Sequence, residues 1–175
     1  KPGRIVFGET NKQATPRAKS ILEVFQSAKI EVELSEDIDR VLWSKFLFIC
    51  AVHGVSTLSR APLGLALSCS ETKELMTGVM REVLQLARTK GISLADDVVE
   101  QSLALAESYN KKFKCSMLHD LEWRRPMEIE ALNGMVVKLG REFGLATPLN
   151  QAIYACLKLE NLKILEPFWA IRLER

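Results

Sequence analysis

An apolar stretch of eighteen residues, 41–58, constrains the fold more than any other feature of this sequence. Only Lys45, His53 and a few hydroxyl side chains interrupt it. A stretch of this length and composition forms either a membrane span or the central helix of a globular core. A lysine inside a membrane span costs about 3 kcal/mol, and the charges that precede the stretch are of both signs, which gives no topology signal. We therefore predict a buried core helix and no membrane partner.

The first 34 residues follow a pattern that does not recur later in the chain. Residues 4–7 form a short apolar run before a glycine, as in a strand and turn. Thr15 and Pro16 then fit the N-cap and the first turn of a helix. Residues 31–34 alternate between polar and apolar side chains, as a brief strand does. The sequence therefore predicts a strand–helix–strand unit over residues 1–34.

The rest of the chain has helical periodicity. The predicted helices cover residues 35 or 37 to 58, 72–89, 96 or 97 to 108, 116 onward, 128–143 and 149–159. We expect a break at 60–64, a loop at 109–115, and either a kink or a restart at Pro126. The predicted fold class is mainly α, with residues 35–175 forming one multi-helix domain.

The charge and the cysteine content exclude several functional classes. With 24 Lys+Arg against 22 Asp+Glu, the net charge is only +2, so we expect no nucleic-acid partner. The four cysteines are dispersed, and no Cys-x-x-Cys or Cys/His cluster occurs, so we expect no metal site. Dispersed thiols in a chain of this size are typical of a reducing compartment, and we expect a cytoplasmic protein.

Four separated motifs carry a family resemblance. They are Trp-x-Lys ending at Lys45, Ser-Met-Leu-His-Asp-Leu-Glu at 116–122, Arg-Pro-Met-Glu-Ile-Glu-Ala-Leu-Asn-Gly at 125–134, and Gly-Leu-Ala-Thr-Pro-Leu-Asn at 144–150. In order and spacing they resemble the C-terminal domain of the ketopantoate reductases, also called 2-dehydropantoate 2-reductases. The resemblance covers about residues 1–160.

The resemblance implies one half of a two-domain dehydrogenase. Members of this family begin with a Rossmann-type NADP-binding domain, whose Gly-x-Gly-x-x-Gly loop does not occur in these 175 residues. Residues 1–34 then represent the tail of that domain, and residues 35–175 the all-α substrate-binding and dimerisation domain. We expect the chain to be part of a longer enzyme, to form a homodimer, and to turn over no substrate without the missing domain.

The implied activity is the reduction of a 2-keto acid by NADPH, with ketopantoate becoming pantoate in the pathway to pantothenate and coenzyme A. Hydride addition leaves an alkoxide, which needs a proton donor within hydrogen-bond reach. Lys45 matches the family's proton-donating lysine, which also contacts the substrate. The residues alone leave a second interpretation open, in which Lys45 extends from a half-buried helix into solvent.

Two further segments match binding residues of the family. The segment that binds the substrate carboxylate corresponds to Ser116, Met117, Leu118 and His119. A serine at a helix start, beside free N–H groups, suits an anion, and a plain N-cap role for Ser116 is the alternative. Glu128 matches a glutamate at the cofactor and the catalytic centre. Its alternative role is that of a solvated acid in the first turn of a helix.

Three positions depart from the family pattern. Characterised members carry asparagines where this chain has Ile49, His53 and Leu63. Amide groups that could hydrogen-bond a hydroxylated substrate are therefore lost, and such bonds discriminate strongly between substrates. The identity of the 2-keto acid stays open, and His53 either supplies a replacement hydrogen bond or is a core histidine. We expect Asn133 to be a structural hydrogen-bonding residue.

Two functions of different classes follow. The first is the C-terminal catalytic and substrate-binding domain of an NADPH-dependent 2-keto acid reductase. The second is a non-catalytic helical dimerisation or interaction module, because a fold alone does not determine function. The joint presence of Lys45, Ser116 and Glu128 favours the enzyme. The loss of the three asparagines favours the module or an altered substrate.

Overall fold

A computed structural model describes residues 3–165 of the chain. The chain divides into two compact units, residues 1–45 and residues 46–175. The sequence predicts a domain boundary after residue 34, whereas the boundary between the compact units falls within a long helix. The assignment of residues 1–34 to a nucleotide-binding domain stays a prediction.

The first unit contains the predicted strand–helix–strand arrangement. Its elements are β1 (Ile5–Phe7), α1 (Pro16–Ser27), β2 (Val32–Leu34) and the beginning of a second helix. The two strands pair in parallel, with Ile5 opposite Val32. The Thr15 hydroxyl accepts a hydrogen bond from the Ala18 N–H and so caps α1, and Pro16 lacks the donor that would be unpaired at the first helical position. The prediction for this part of the chain is confirmed.

Helices make up the remaining regular structure of the described chain. They are α2 (Ile38–Ser59), α3 (Leu63–Ser68), α4 (Ser70–Thr89), α5 (Val98–Ser108), α6 (Ser116–Glu122), α7 (Asn133–Glu142) and α8 (Pro148–Leu165). α2 begins in the first unit and continues into the second. The predicted mainly-α fold class is confirmed.

Two parts of the second unit differ from the sequence prediction. The sequence predicts only a break at 60–64, but Pro62 is the N-cap of α3. The sequence also predicts a helix over 128–143, but residues 123–132 form turns and other non-helical backbone, and α7 begins at Asn133. Met127, Ile129 and Leu132 are nevertheless buried. The spacing of these inward-pointing turn residues therefore resembles that of a buried helix face, which explains why the sequence predicts a helix here.

The middle of α2 lies in the core of the second unit. Leu47, Cys50, Ala51 and Val55 are at most 1% exposed. By length and composition α2 would also pass as a membrane span, but these side chains pack inside the protein. Gly54 permits a close helix contact, because a Cβ there would lie 2.9 Å from both side-chain polar atoms of Asn133. The prediction of a buried core helix is confirmed for this part of α2.

A line of buried and partly buried hydrogen bonds joins four of the helices. The Asn133 amide of α7 donates to the Cys50 carbonyl of α2 at 3.2 Å and to the Asn150 side-chain oxygen of α8 at 2.9 Å. The Asn150 amide donates in turn to the Glu82 carboxylate of α4 at 2.7 Å. That carboxylate also accepts the Leu149 and Asn150 N–H groups, at 2.8 and 3.0 Å, and so caps α8. Asn133 is thus the structural residue that the sequence predicts.

We expect Asn133→Ala to lower the free energy of unfolding by about 2–4 kcal/mol, because it removes the buried hydrogen bonds to the Cys50 carbonyl and the Asn150 side-chain oxygen and opens a cavity. Urea denaturation followed by circular dichroism measures the change. Gln151→Ala, on the exposed side of α8, is the control, and we expect it to stay within about 0.5 kcal/mol of the parent chain. A loss below about 1 kcal/mol for Asn133→Ala would contradict the role given to this network.

Candidate active site

Within the second unit, the charge of Glu128 acts on His53. His53 is half-buried on α2, and its Nδ1 has no hydrogen-bond partner among the described residues. Burial lowers the pKa of His53 below its ordinary value, and the negative charge of Glu128 partly opposes this effect. His53 is therefore a neutral imidazole at pH 7, with one donor and one acceptor nitrogen.

Glu128 is exposed on a turn whose two neighbours are buried. Met127 and Ile129 are 6% and 0% exposed, so the backbone between them directs the glutamate outward. The Met127 N–H donates to the buried Asn161 side chain of α8 at 2.8 Å, and the Glu128 carbonyl accepts the Ala131 and Leu132 N–H groups, at 3.1 Å each. Because α7 begins five residues later, Glu128 is not a first-turn acid of a helix.

The sequence does not reveal Asn161 as part of this site. A pattern in the sequence could have revealed it: Ile153, Leu157 and Asn161 follow one another at spacings of four residues and lie on the buried face of α8. The predicted helix ended at residue 159, before the asparagine. A polar residue that continues an apolar stripe points to a buried hydrogen bond, and here that bond holds the backbone beside Glu128.

The start of α6 differs from the predicted serine cap. Cys115 is the N-cap residue and Ser116 is the first helical residue, with no side-chain capping bond. Ser116 is exposed, but Met117 and Leu118 are 1% and 0% exposed, so neither of these two residues presents surface to a ligand in this structure. Burial raises the pKa of the Cys115 thiol, against the opposing effect of nearby N–H groups of Leu118, Cys115 itself and Met117. The Cys115 sulfur lies 3.8 Å from the Thr57 hydroxyl oxygen of α2.

His119 is half-buried at the end of this segment. Its ring stacks on Trp123, with 4.9 Å between the centroids. The Arg125 guanidinium lies 4.8 Å from the centroid of the Trp123 ring, a cation–π distance. The His119 Nδ1 is 3.8 Å from a Glu122 carboxylate oxygen. The stack restrains the imidazole that the sequence assigns to the substrate carboxylate.

Lys45 is the last residue of the first unit, and it is exposed on α2. The other predicted site residues belong to the second unit. Of the three departures from the family pattern, Ile49 and His53 are half-buried on α2. Leu63 is 1% exposed, and its N–H donates to the Phe113 carbonyl at 2.8 Å. Leu63 is therefore a core residue, and its side chain is closed to a substrate.

A metal would need ligands that the described residues do not assemble. Within residues 3–165, no group of three or more His, Cys, Asp or Glu side chains is placed to hold a metal ion. The expectation that the protein uses no metal stays a prediction.

We expect the pKa of His53 to lie below the ordinary histidine value of 6.5. NMR of the imidazole protons measures it in a His119→Gln variant, in which His53 is the one remaining histidine. Glu128→Gln should lower the midpoint further, because it removes a charge that stabilises the imidazolium. Glu130→Gln is the matched control, since the Glu130 carboxylate instead accepts a hydrogen bond from Tyr154 at 2.6 Å. An equal midpoint in the parent and in Glu128→Gln would place the Glu128 carboxylate away from His53.

Comparison with known proteins gives consistent matches. A family model described as "Ketopantoate reductase PanE/ApbA C terminal" matches residues 37–161. The 2-dehydropantoate 2-reductase of Pyrobaculum aerophilum is 33% identical over 144 residues, which are 82% of this chain and 51% of that protein. The crystal structure of 2-dehydropantoate 2-reductase from Methylococcus capsulatus has a TM-score of 0.85 at 30% identity, covering 95% of this chain and 53% of that one.

A more distant structure has the same fold. The dimeric ketopantoate reductase of Staphylococcus aureus has a TM-score of 0.80 at 21% identity, covering 87% of this chain and 53% of that one. The chain spans about half the length of the relatives it matches. The helical fold and the match over residues 37–161 show that this chain belongs to the ketopantoate reductase family and carries its C-terminal domain.

Proposed function

We propose that this chain is the C-terminal catalytic and substrate-binding part of an NADPH-dependent 2-keto acid reductase. The observation that carries the proposal is the placement of Glu128. Its side chain is exposed on a turn held by buried neighbours, and its charge acts on His53. His53 belongs to α2, the helix that also carries Lys45. Membership in a reductase family favours this function over a non-catalytic module.

Lys45 is the proposed proton donor. Reduction forms a C–H bond at C2 of the keto acid and leaves negative charge on the former keto oxygen. The bound cofactor supplies the hydride. The Lys45 ammonium gives a proton to this oxygen, which becomes the hydroxyl, and solvent then reprotonates the amine. The exposure of Lys45 on α2 leaves its Nζ accessible to a substrate.

Glu128 is the residue of this chain that we propose to contact NADP. An exposed carboxylate accepts hydrogen bonds from hydroxyl and amide groups, and the turn around Glu128 holds it in place. The phosphates of the nucleotide need other groups, because no Gly-rich phosphate loop occurs in these 175 residues. We assign them to a Rossmann domain outside this chain, with residues 1–34 as its tail. The isolated chain is then inactive.

For the substrate carboxylate, we propose the segment from Ser116 to His119, with Ser116 and His119 making the contacts and Met117 and Leu118 packing beneath them. The exposure of Ser116 at the start of α6 and the stacking that restrains His119 support this assignment. The buried side chains of Met117 and Leu118 make no contribution of their own.

The substrate itself is proposed to be a 2-keto acid that needs little polar contact with α2. Ile49 offers a half-buried apolar surface, and His53 offers one unpartnered ring nitrogen among the described residues. At these two positions the hydroxyl group of ketopantoate would have only the His53 ring as a polar partner, where the family pattern has asparagine amides. Ketopantoate is therefore a weaker candidate than a less hydroxylated 2-keto acid.

We also propose a cytoplasmic homodimer. The ketopantoate reductase of Staphylococcus aureus is described as dimeric, and the same fold offers the same helices for pairing. All four cysteines are free thiols, two of them exposed, which fits a reducing compartment.

In the full-length enzyme we expect Lys45→Ala to lower kcat by about 10²- to 10⁴-fold, the range of general acid catalysis. The KM for NADPH should change little, because the lysine acts on the substrate. Steady-state kinetics with the best 2-keto acid measures both constants. Lys138→Ala removes an exposed lysine of α7 and is the control. An unchanged kcat in Lys45→Ala would remove the lysine from the mechanism.

Ile49→Asn tests the proposed substrate preference. The change restores one amide on the helix face of Lys45, four residues along. We expect kcat/KM for ketopantoate to rise about tenfold, equivalent to about 1.4 kcal/mol of transition-state stabilisation. Ile49→Leu, which keeps an apolar side chain, should leave this value near that of the parent. A fall in kcat/KM for ketopantoate in Ile49→Asn would show that the apolar surface serves that substrate.

A further inference from the structure

A cavity of about 340 Å³ lies among the C-terminal ends of α2, α6 and α8. This volume is within the range of small-molecule sites. The charged side chains of its lining are Arg60, Glu122, Arg124, Glu160 and Lys163. The cavity shares no residue with the candidate active site.

The positive charges of the cavity exceed the negative ones. Glu160 accepts a hydrogen bond from Lys163 at 2.8 Å and lies 3.5 Å from Arg60. Glu122 forms an ion pair at 2.6 Å with Lys114, which is not part of the lining. Among the described residues, no carboxylate lies within 4 Å of the Arg124 guanidinium. One guanidinium is therefore left for an anionic ligand.

The excess of positive charge affects the pKa of Glu160. The hydrogen bond from Lys163 lowers the pKa of Glu160, and the charges of Lys163, Arg60 and Arg124 add to the effect. A site that stabilises its own carboxylate in this way also favours an anion from solution.

Both arginines occupy backbone positions that favour glycine. Arg60 and Arg124 both have a φ angle of 53°. Arg60 directly follows α2, and Arg124 follows the C-cap residue of α6, Trp123. At each place two backbone N–H groups turn back onto the last carbonyls of the helix, as in a Schellman motif. The same motif ends α4 and α7, where the left-handed residues are Gly91 and Gly144. The chain thus uses arginine instead of glycine at the two such motifs that border the cavity.

Compensation of the helix dipole does not require arginine at these positions. A cation near a helix C-terminus is favourable, and α4 and α7 obtain it from Arg88 and Arg141 in their last turns while keeping glycine in the left-handed position. In α2 and α6 the left-handed residue carries the cation itself. This placement brings the two arginines, one from each helix end, to the same cavity.

We propose that this cavity binds a small anion with two or more negative charges, carried by phosphoryl or carboxylate groups. The arginines suit either group, because a guanidinium forms paired hydrogen bonds with planar or tetrahedral oxyanions. The ion pairs of Glu160 rearrange around the bound anion.

Titration of the full chain tests the proposal, with inorganic phosphate and citrate as probes and sodium chloride keeping the ionic strength constant. We expect both calorimetry and a rise in melting temperature to show binding of at least one probe. Tighter binding of phosphate identifies phosphoryl ligands, and tighter binding of citrate identifies polycarboxylates.

Arg60→Gly combined with Arg124→Gly should weaken this binding at least tenfold without lowering the melting temperature in chloride, because glycine suits both backbone positions. Lys29→Gly is the matched control. Lys29 has a φ of 57° in the same motif after α1 and belongs to the other unit, so we expect unchanged binding. Arg124→Gln removes the charge and leaves a shorter polar side chain, and we expect the same tenfold loss.

Two results would overturn the proposal. One is the absence of binding of either probe to the parent chain. The other is equal affinity in the parent, the double glycine variant and Arg124→Gln, which would leave the arginines with a role at the helix ends only.

Discussion

The buried hydrogen bonds of Asn133, Asn150 and Glu82 are the interaction on which the arrangement of the second unit depends. Each asparagine links two helices, and the Glu82 carboxylate holds the first turn of α8. Apolar packing alone is tolerant of small shifts between helices, whereas amide and carboxylate groups bond only over a narrow range of distances. The network therefore determines how α2, α4, α7 and α8 are placed relative to one another.

The same network positions the candidate active site through the length of α8. Asn161 follows Asn150 by three turns of this helix, about 16 Å along its axis. At that distance Asn161 holds the Met127 N–H, and the next residue is Glu128. The turn that carries the glutamate thus has one end fixed by α8 and the other by the start of α7. Although Glu128 lies on irregular backbone, the flanking helices therefore hold its position.

Local rules account for the parts of the fold that the sequence predicts. The Thr15 cap, the alternating strand at 32–34 and the apolar length of α2 each depend on neighbouring residues, and each appears as expected. The segment 123–132 depends on distant partners. Its inward residues imitate a helix, and the Asn161 amide that holds it comes from another element, so its conformation was not visible in the sequence.

In the candidate site too, the sequence predicts some features, while others depend on tertiary packing. Motif spacing predicts that Lys45 and Glu128 contact ligands, and both residues are exposed. Their roles stay predictions. The spacing could not show that Met117, Leu118 and Leu63 are buried, nor that a cysteine instead of a serine occupies the N-cap position of α6. Burial results from tertiary packing, and a motif reports the order of residues without reporting which of their atoms reach the surface.

The paired amides of Asn133 and Asn150 also restrict how this chain can change in evolution. Loss of the Asn133 amide leaves the Asn150 side-chain oxygen without this donor, while replacement of both residues by apolar ones of similar shape removes the hydrogen bond between them. The Glu82 carboxylate would then keep only the two main-chain donors at the start of α8. Such a pair is expected to change together or not at all, since each single step passes through a destabilised intermediate. Gly54 adds a third member to this set, because any side chain there would collide with Asn133. Gly54, Asn133 and Asn150, from three separate helices, are thus expected to be kept or replaced together.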